Sequence, residues 1–400
     1  MNFIYISPNF PDAAWKFVDA LHKNGVQVLG IGDQAYDTLK PELKSALKEY
    51  YKVSNLANYD EVYRGVAFLT YKYGRIDWIE SNNEFWLEQD ARLRTDFNVP
   101  TGVHTDKIRF IKEKSEMKKI YAAGGIRTAR QIKSGEGLEA VKRFALDAGY
   151  PLFAKPDVGV GAFGTFKLET EADLEAFYKE AEHAHSYVIE EFVTGNICDY
   201  DAVIDANGNP LFESWSICPP SIAEIVDKNL ESVYHVEKDM NENLRFWGRQ
   251  TVKAFGVRSR FVHLEFFRLD RAHRGLGNVG DFVALEVNMR PGGGFTPDML
   301  NYAHSTNVYK IWADMIAFGH STMPDLHENY YCVFAGRRDG VKYRLDHEQM
   351  MKKYAGAIKQ WDRVPDALSG AMGNQSYIAR FSTEAELQAF EADIYDRLES

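Results

Sequence analysis

Three polar side chains recur at every second position in "ALEVNMRPGGGFTPDML" (284–300): Glu286, Asn288 and Arg290, an acid, an amide and a base, ahead of three glycines. Residues two apart in a strand share a face, so Leu285, Val287 and Met289 take the other face and the polar trio can hold something against the glycine turn. A second strand-like run, "RFVHLEFFRLD" (260–270), carries Glu265 on the face of His263 and Phe267. Paired as antiparallel strands, the two runs bring carboxylates within about 5 Å, where like charges repel unless a cation or proton lies between them. Two carboxylates and an amide carbonyl form an oxygen-only ligand set, suited to Mg²⁺ (or Mn²⁺) with phosphate oxygens completing the shell. The plain alternative is a solvated face of an antiparallel sheet. His263 reads as a packed neighbour of these acids rather than a ligand.

Lys155 lies inside the apolar start of "PLFAKPDVGVGAFGTFKLET" (151–170), where burial is costly unless an anion meets it. Gly159, Gly161 and Gly164 follow at once, and glycine amides can approach phosphate with no Cβ in the way. The lysine precedes the glycines, so this is not a GxxxxGK[ST] loop, nor is it GxGxxG opening a helix. An ordinary hairpin is the competing reading.

The elements around these runs alternate in type. "FIYIS" (3–7) and "VQVLGIG" (26–32) read as strands, joined by a helix in "PDAAWKFVDALHKNG" (11–25) with Trp15, Val18 and Leu21 on one face. Strand, helix, strand predicts a parallel sheet, with ligands expected at the carboxyl ends of its strands, near "SPNF" and "GDQAYD". "RIDWIE" (75–80) predicts a further strand and "NEFWLEQDARLRTDF" (83–97) a helix, before a polar boundary at 98–106. One lysine-rich helix is expected over 107–125, ended by Gly124 and Gly125, and a second amphipathic segment over 134–150. A helix capped by Thr170 with Asp173 and carrying Leu174, Phe177 and Ala181 follows. A strand at 186–193, a hairpin of 199–205 with 211–217, and a helix at 241–256 complete the middle. The tail mixes strands at 330–335 and 376–381 with a final helix whose Leu387, Phe390, Ile394 and Leu398 form one stripe.

Four hundred residues, 45% of them hydrophobic, suit two or three domains. Three widely spaced cysteines, Cys198, Cys218 and Cys332, read as small buried hydrophobes in a reducing, cytoplasmic setting. No export signal and no membrane span are expected. A formal charge of -11 argues against nucleic acid as a partner, though a local basic cluster can still bind a small anion.

The lysine-rich helix, "LFAKPDVGVGAFG", "IEEFVTG", "HLEFF" and "LEVNMRPGGG" resemble, in order and rough spacing, the ATP-grasp superfamily: carboxylate-amine and carboxylate-thiol ligases and their biotin-carboxylase relatives. The likeness covers about 105–320. It implies an α/β chain, α+β in its ATP-binding part: a Rossmann-like domain over 1–104, a two-lobed ATP-grasp domain over 105–325 with a lid at about 134–190, and a small C-terminal α+β region over 326–400. It further implies that Lys114, with Lys112 and Lys118 as alternatives, and Lys155 hold ATP phosphates beneath a loop of Gly159, Gly161 and Gly164. Glu190, Glu191, Phe192 and Val193 match the linker that holds adenine through backbone and acid groups. Glu265, Glu286 and Asn288 match the Mg²⁺ ligands, and Arg290 the arginine facing the acyl-phosphate or substrate anion. Many members carry a ribose-binding glutamate where this chain has Ile197, with Asp199 as a candidate substitute.

The implied activity is ATP-dependent joining of a small carboxylate, plausibly an amino acid, to an amine. Activation of bicarbonate and a non-catalytic nucleotide sensor are the alternatives. Candidate substrate walls are Ser7 to Phe10, Glu84, the stretch 218–234, and Arg337 with Arg338, whose other reading is a solvated turn. A homo-oligomer is left open.

Overall fold

The computed structural model describes residues 1–159, 164–180, 186–219, 225, 230–324 and 328–398, so Gly161, Ala181 and most of 220–229 lie outside the described residues. Strands β1 (Asn2–Ile6), β2 (Gln27–Gly32), β3 (Glu49–Lys52) and β4 (Trp78–Glu80) form a parallel sheet in the order β3-β2-β1-β4. The helix between β1 and β2, Ala14–Lys23, buries Phe17, Val18 and Leu21. Phe17 meets Tyr309 and Trp312 edge-on at 4.7 and 5.2 Å, docking this helix on helix Val308–Phe318.

A second, antiparallel sheet has the order β5-β8-β6-β7, from β5 (Gln131–Lys133), β6 (Leu152–Pro156), β7 (Phe166–Leu168) and β8 (Tyr187–Glu191). Helices Leu138–Ala148 and Glu171–Glu180 cover one face, enclosing Val141, Leu152, Leu168, Leu174, Phe177 and Ile189. The expected cap forms: Thr170 Oγ1 accepts from the Asp173 amide at 3.2 Å, and Asp173 accepts from the Thr170 amide at 2.9 Å.

The third sheet has eight strands, ordered β13-β12-β9-β10-β11-β14-β16-β15. Its members are β9 (Gly195–Ile204), β10 (Pro210–Cys218), β11 (Ser232–Val236), β12 (Arg260–Leu269), β13 (Phe282–Asn288), β14 (Tyr331–Arg337), β15 (Ile358–Arg363) and β16 (Gln375–Phe381). The tail strands therefore extend the sheet that carries Glu265 and Glu286. β15 is an addition to the expected strands. In the last helix, Glu384–Tyr395, Leu387, Phe390 and Ile394 are buried, whereas Leu398 lies past its end and is 46% exposed.

The single lysine-rich helix is corrected to two, Arg109–Lys112 and Lys114–Ala123, broken at Glu113, whose ψ is 116°. The cause is a cap from 42 residues away: Asp157, just past β6, accepts from the Ser115 amide at 2.8 Å and the Ser115 hydroxyl at 2.7 Å. Its carbonyl accepts from the Lys114 amide at 2.9 Å. These bonds satisfy amides that open the second helix and seat Lys114 beside the start of the glycine turn.

Among the described residues, no helix is long and apolar enough to cross a membrane.

Candidate active site

Alternation along three neighbouring strands builds two polar rows on one sheet face. Glu286 on β13 pairs with Glu265 on β12, which pairs with Asp199 on β9; one step along, Asn288, His263 and Asp201 line up in the same way. A bulge after Glu265 ends the matched register, so the acids stop where the strand bends. Asn288 Nδ2 donates to Glu265 Oε1 at 3.1 Å. Burial first, and then the facing Glu286, push the Glu265 carboxyl up to about 7. The two carboxylates face each other across the strand pair, and with the Asn288 amide oxygen, which here accepts from Arg290, they offer the oxygen-only donors that a hard divalent ion takes. Among the described residues, no group of three His, Cys, Asp or Glu side chains is arranged to hold a metal.

The three lysines resolve by partner. Lys114 Nζ lies 3.2 Å from Glu286 Oε1 and donates to the Gly159 carbonyl at 3.3 Å, joining the acid row to the glycine turn. Lys112 turns to Glu84 at 2.7 Å, whose other oxygen is 3.3 Å from Arg290 Nε. Lys118 pairs with Glu190 Oε1, and burial lowers its ammonium to about 8 despite that acid. Lys155, 5% exposed, lies 2.8 Å from the other oxygen of Glu190. Gly164, the next described residue after Gly159, takes φ +72°, a conformation that suits glycine.

The linker acids are both engaged. Burial works against the charge of Glu190, but Lys118 and Lys155 outweigh it and hold its carboxyl below the usual range. Glu191 accepts from the Arg130 amide at 2.7 Å and from its guanidinium at 2.9 and 2.8 Å. The Glu190 and Glu191 backbone is paired with β5 and β6, and the chain leaves the strand at Phe192. Phe192 packs 6.3 Å from Phe153 with Lys167 over its ring, and Val193 is buried.

Asp199, the candidate for ribose, stands in the acid row and accepts from the Ser216 hydroxyl at 3.0 Å; burial raises its carboxyl. His263 meets Asp201 at 3.0 Å through Nδ1, and its Nε2 is 3.9 Å from both Asp199 and Glu265. Burial opposes its charge, but Asp201, Asp199 and Glu265 together raise the imidazolium to about 9. The charged form is therefore favoured by folding: its contribution is complete below the ordinary 6.5 and is lost as pH rises through about 9. The protein is expected to melt at progressively lower temperature from pH 6.5 to 9, and His263→Gln to flatten that slope, as read by thermal unfolding without divalent ions.

The glycine turn closes over this face. A Cβ at Gly292 would lie 2.7 Å from Thr296 and 3.2 Å from His263 Nδ1, so only glycine lets the chain come this close. Arg290 donates to the Pro291 carbonyl at 2.8 Å and to Asn288 Oδ1 at 3.2 Å, with Glu84 on its Nε side. Behind it, Arg260 from the start of β12 donates to the Met289 carbonyl at 2.7 Å and to Glu80 at 2.6 Å. The carboxyl end of β4 is thereby fastened to the strand bearing the site. Ser7, just past β1, takes φ 57° and donates to the Phe10 carbonyl at 3.2 Å.

Arg337 and Arg338 make no solvated turn. Arg337 is 2% exposed and donates to the carbonyls of Ile394 and Leu345, with Tyr343 stacked at 4.2 Å. Arg338 donates to the carbonyls of Leu230 and Gly370. Both tie segments together. Sequence reasoning names Glu84, Lys118 and Glu190 but misses Asp201 and the pairings of Glu84 with Lys112 and Arg290 and of Lys118 with Glu190; for Asp201 the repeat of acids at 199 and 201 is the one legible signal.

No family model matches the chain. A D-alanine--D-alanine ligase from Francisella philomiragia is 26% identical over 151 residues, 36% of this chain; the match spans about half (47%) of that protein's length. Among solved structures, L-amino acid ligase from Bacillus licheniformis superposes with a TM-score of 0.70 at 15% identity, over 97% of this chain and 95% of that one. The biotin carboxylase domain of 2-oxoglutarate carboxylase from Hydrogenobacter thermophilus, solved with MgADP and bicarbonate, gives 0.70 at 17% identity, covering 100% and 90%. Phosphoribosylglycinamide synthetase from Anaerococcus prevotii gives 0.66 at 12%, covering 99% and 98%. The chain has the fold of these proteins over nearly its whole length.

Proposed function

We propose that this chain, whose fold is the ATP-grasp fold, is an ATP-dependent ligase that activates a small carboxylate, such as an amino acid, as an acyl-phosphate for attack by an amine, with release of ADP and phosphate. The observation that carries the reading is the row Glu286–Glu265 facing Lys114, with the Asn288 amide and Arg290 beside it. Glu265, Glu286 and Asn288 Oδ1 would hold Mg²⁺ (or Mn²⁺), which when bound supplies positive charge beside the transferred phosphoryl group. Lys114, which donates to the Gly159 carbonyl, and Lys155 would meet the ATP phosphates, with Gly159 and Gly164 beside them. Adenine would fall to the backbone past the strand, at Phe192 and Val193, since both linker carboxylates already have cation partners and the Glu190 and Glu191 backbone runs between β5 and β6. Arg290, steadied by Glu84, would face the acyl-phosphate, where a preorganised cation lowers the barrier by electrostatics. Asp199 is better placed to join the acid wall than to hold ribose.

In this reading residues 1–104 form a Rossmann-like domain, 105–325 the ATP-grasp domain with its lid at about 134–190, and 326–400 a region whose strands share the large sheet. A lid there would keep water from the acyl-phosphate. Cys198, Cys218 and Cys332 form no disulfide, which supports a cytoplasmic setting.

The test is an ADP-release screen of amino acids, singly and in pairs, with mass detection of the product. A condensation product formed in step with ADP is the expected result; ADP binding with no product from any acid and amine pair would overturn it. The likeness to a biotin carboxylase domain solved with bicarbonate favours one second reading, bicarbonate activation. Bicarbonate-stimulated ADP release without a condensation product would select it.

A further inference from the structure

Two buried lysines share one carboxylate. Lys118 and Lys155 take different oxygens of Glu190, which is 4% exposed, while the neighbouring Glu191 is consumed by Arg130. One negative charge against two positive ones leaves an excess cation in a place where unpaired charge is costly, so the cluster is incomplete without an anion. The two lysines are not equivalent. Lys118 also donates to the Ala129 carbonyl at 2.5 Å, which anchors it. Lys155 has no partner besides Glu190 among the described residues, and it stands at the end of β6, four residues before Gly159.

Resting on the nucleotide-binding reading above, we infer that Lys118 is a positioning residue: it keeps the Glu190 carboxylate neutralised so that Lys155 can leave it for an ATP phosphate. Without Lys118, Glu190 has a single cation and holds Lys155 back from the nucleotide. Phosphate then competes with a full buried ion pair instead of with half of a shared carboxylate. Lys118 itself touches no phosphate; its effect runs through the acid.

The experiment measures binding of ATP, ADP and adenosine to the full chain by calorimetry, alongside steady-state ADP release. For Lys118→Met, ATP and ADP are expected to bind roughly tenfold or more weakly, with adenosine binding unchanged and kcat at saturating ATP kept within a few-fold. Lys118→Arg should restore most of the affinity. The decisive variant is the double change Lys118→Met with Glu190→Gln, which removes the trap along with its counter-ion and should bring ATP affinity back toward the parent value. A structural defect would instead deepen with the second change. If Lys118→Met does not fold, Lys118→Arg and Glu190→Gln alone remain readable: Glu190→Gln should not weaken ATP relative to adenosine. Parent-like ATP affinity in Lys118→Met, equal weakening of ATP and adenosine, or no recovery in the double variant overturns the inference alone. Absence of ATP binding by the parent chain overturns the nucleotide-binding reading as well.

Discussion

Glu286→Ala is expected to lower ADP release about a thousandfold while the melting temperature stays close to that of the parent. The carboxylate stands opposite Glu265 and within 3.2 Å of Lys114, so its loss strips the site of one of two acids able to hold a divalent ion and frees the lysine that bridges to the glycine turn. Stability should change little, since like charges directly opposed on neighbouring strands are themselves unfavourable. With Glu286 gone, the Glu265 carboxyl should fall from about 7 toward its ordinary value. A coupled ADP assay with thermal melting checks both halves; a rate within tenfold of the parent would remove Glu286 from the metal site. ATP binding measured with EDTA present should survive the change, which separates loss of the ion from loss of the nucleotide pocket.

The second large effect is on stability. Arg260→Met should cost about 3–5 kcal/mol, because it leaves the buried Glu80 carboxylate short of a cation. Glu80 is 3% exposed and lies between Arg260 at 2.6 Å and Arg94 at 3.0 Å, and Arg94 is spread further over the carbonyls of Ile79 and Val103. Arg260 also holds the Met289 carbonyl, next to Asn288, so the same change should loosen the end of β13 and lower activity in the molecules that stay folded. Urea unfolding reads the stability term, and a loss under about 1 kcal/mol would mean that the network relaxes without it. Changing Glu80 and Arg260 together to apolar residues should recover part of the loss, as buried ion pairs often can be replaced but not halved.

The acid row is legible in the sequence because strand alternation is local: period two sets Glu286 with Asn288 and His263 with Glu265, and antiparallel pairing does the rest. The first strand, helix and second strand are legible for the same reason. Partner choice is not. Lys114 and Lys118 sit four apart on one helix face, and what separates them is that one meets Glu286 and the other Glu190, contacts made across 172 and 72 positions of chain. The break at Glu113 depends on Asp157, and the pinning of Arg337 depends on carbonyls at 345 and 394. β15 escapes a reading by pattern because "IKQWDR" has few apolar residues and gains its place only by pairing with β16.

The large sheet has one more implication, for where the chain can be cut. The sequence places a seam after residue 325, yet β14, from Tyr331, pairs along all five residues of β11, from Ser232 with Gly336 to Val236 with Cys332. A chain ended at 330 would leave β11 with a bare row of amides and carbonyls, a template for pairing with other molecules. Such a truncation would keep every residue of the acid row and still be expected to aggregate, so a fragment built to isolate the nucleotide site should retain the tail through β16.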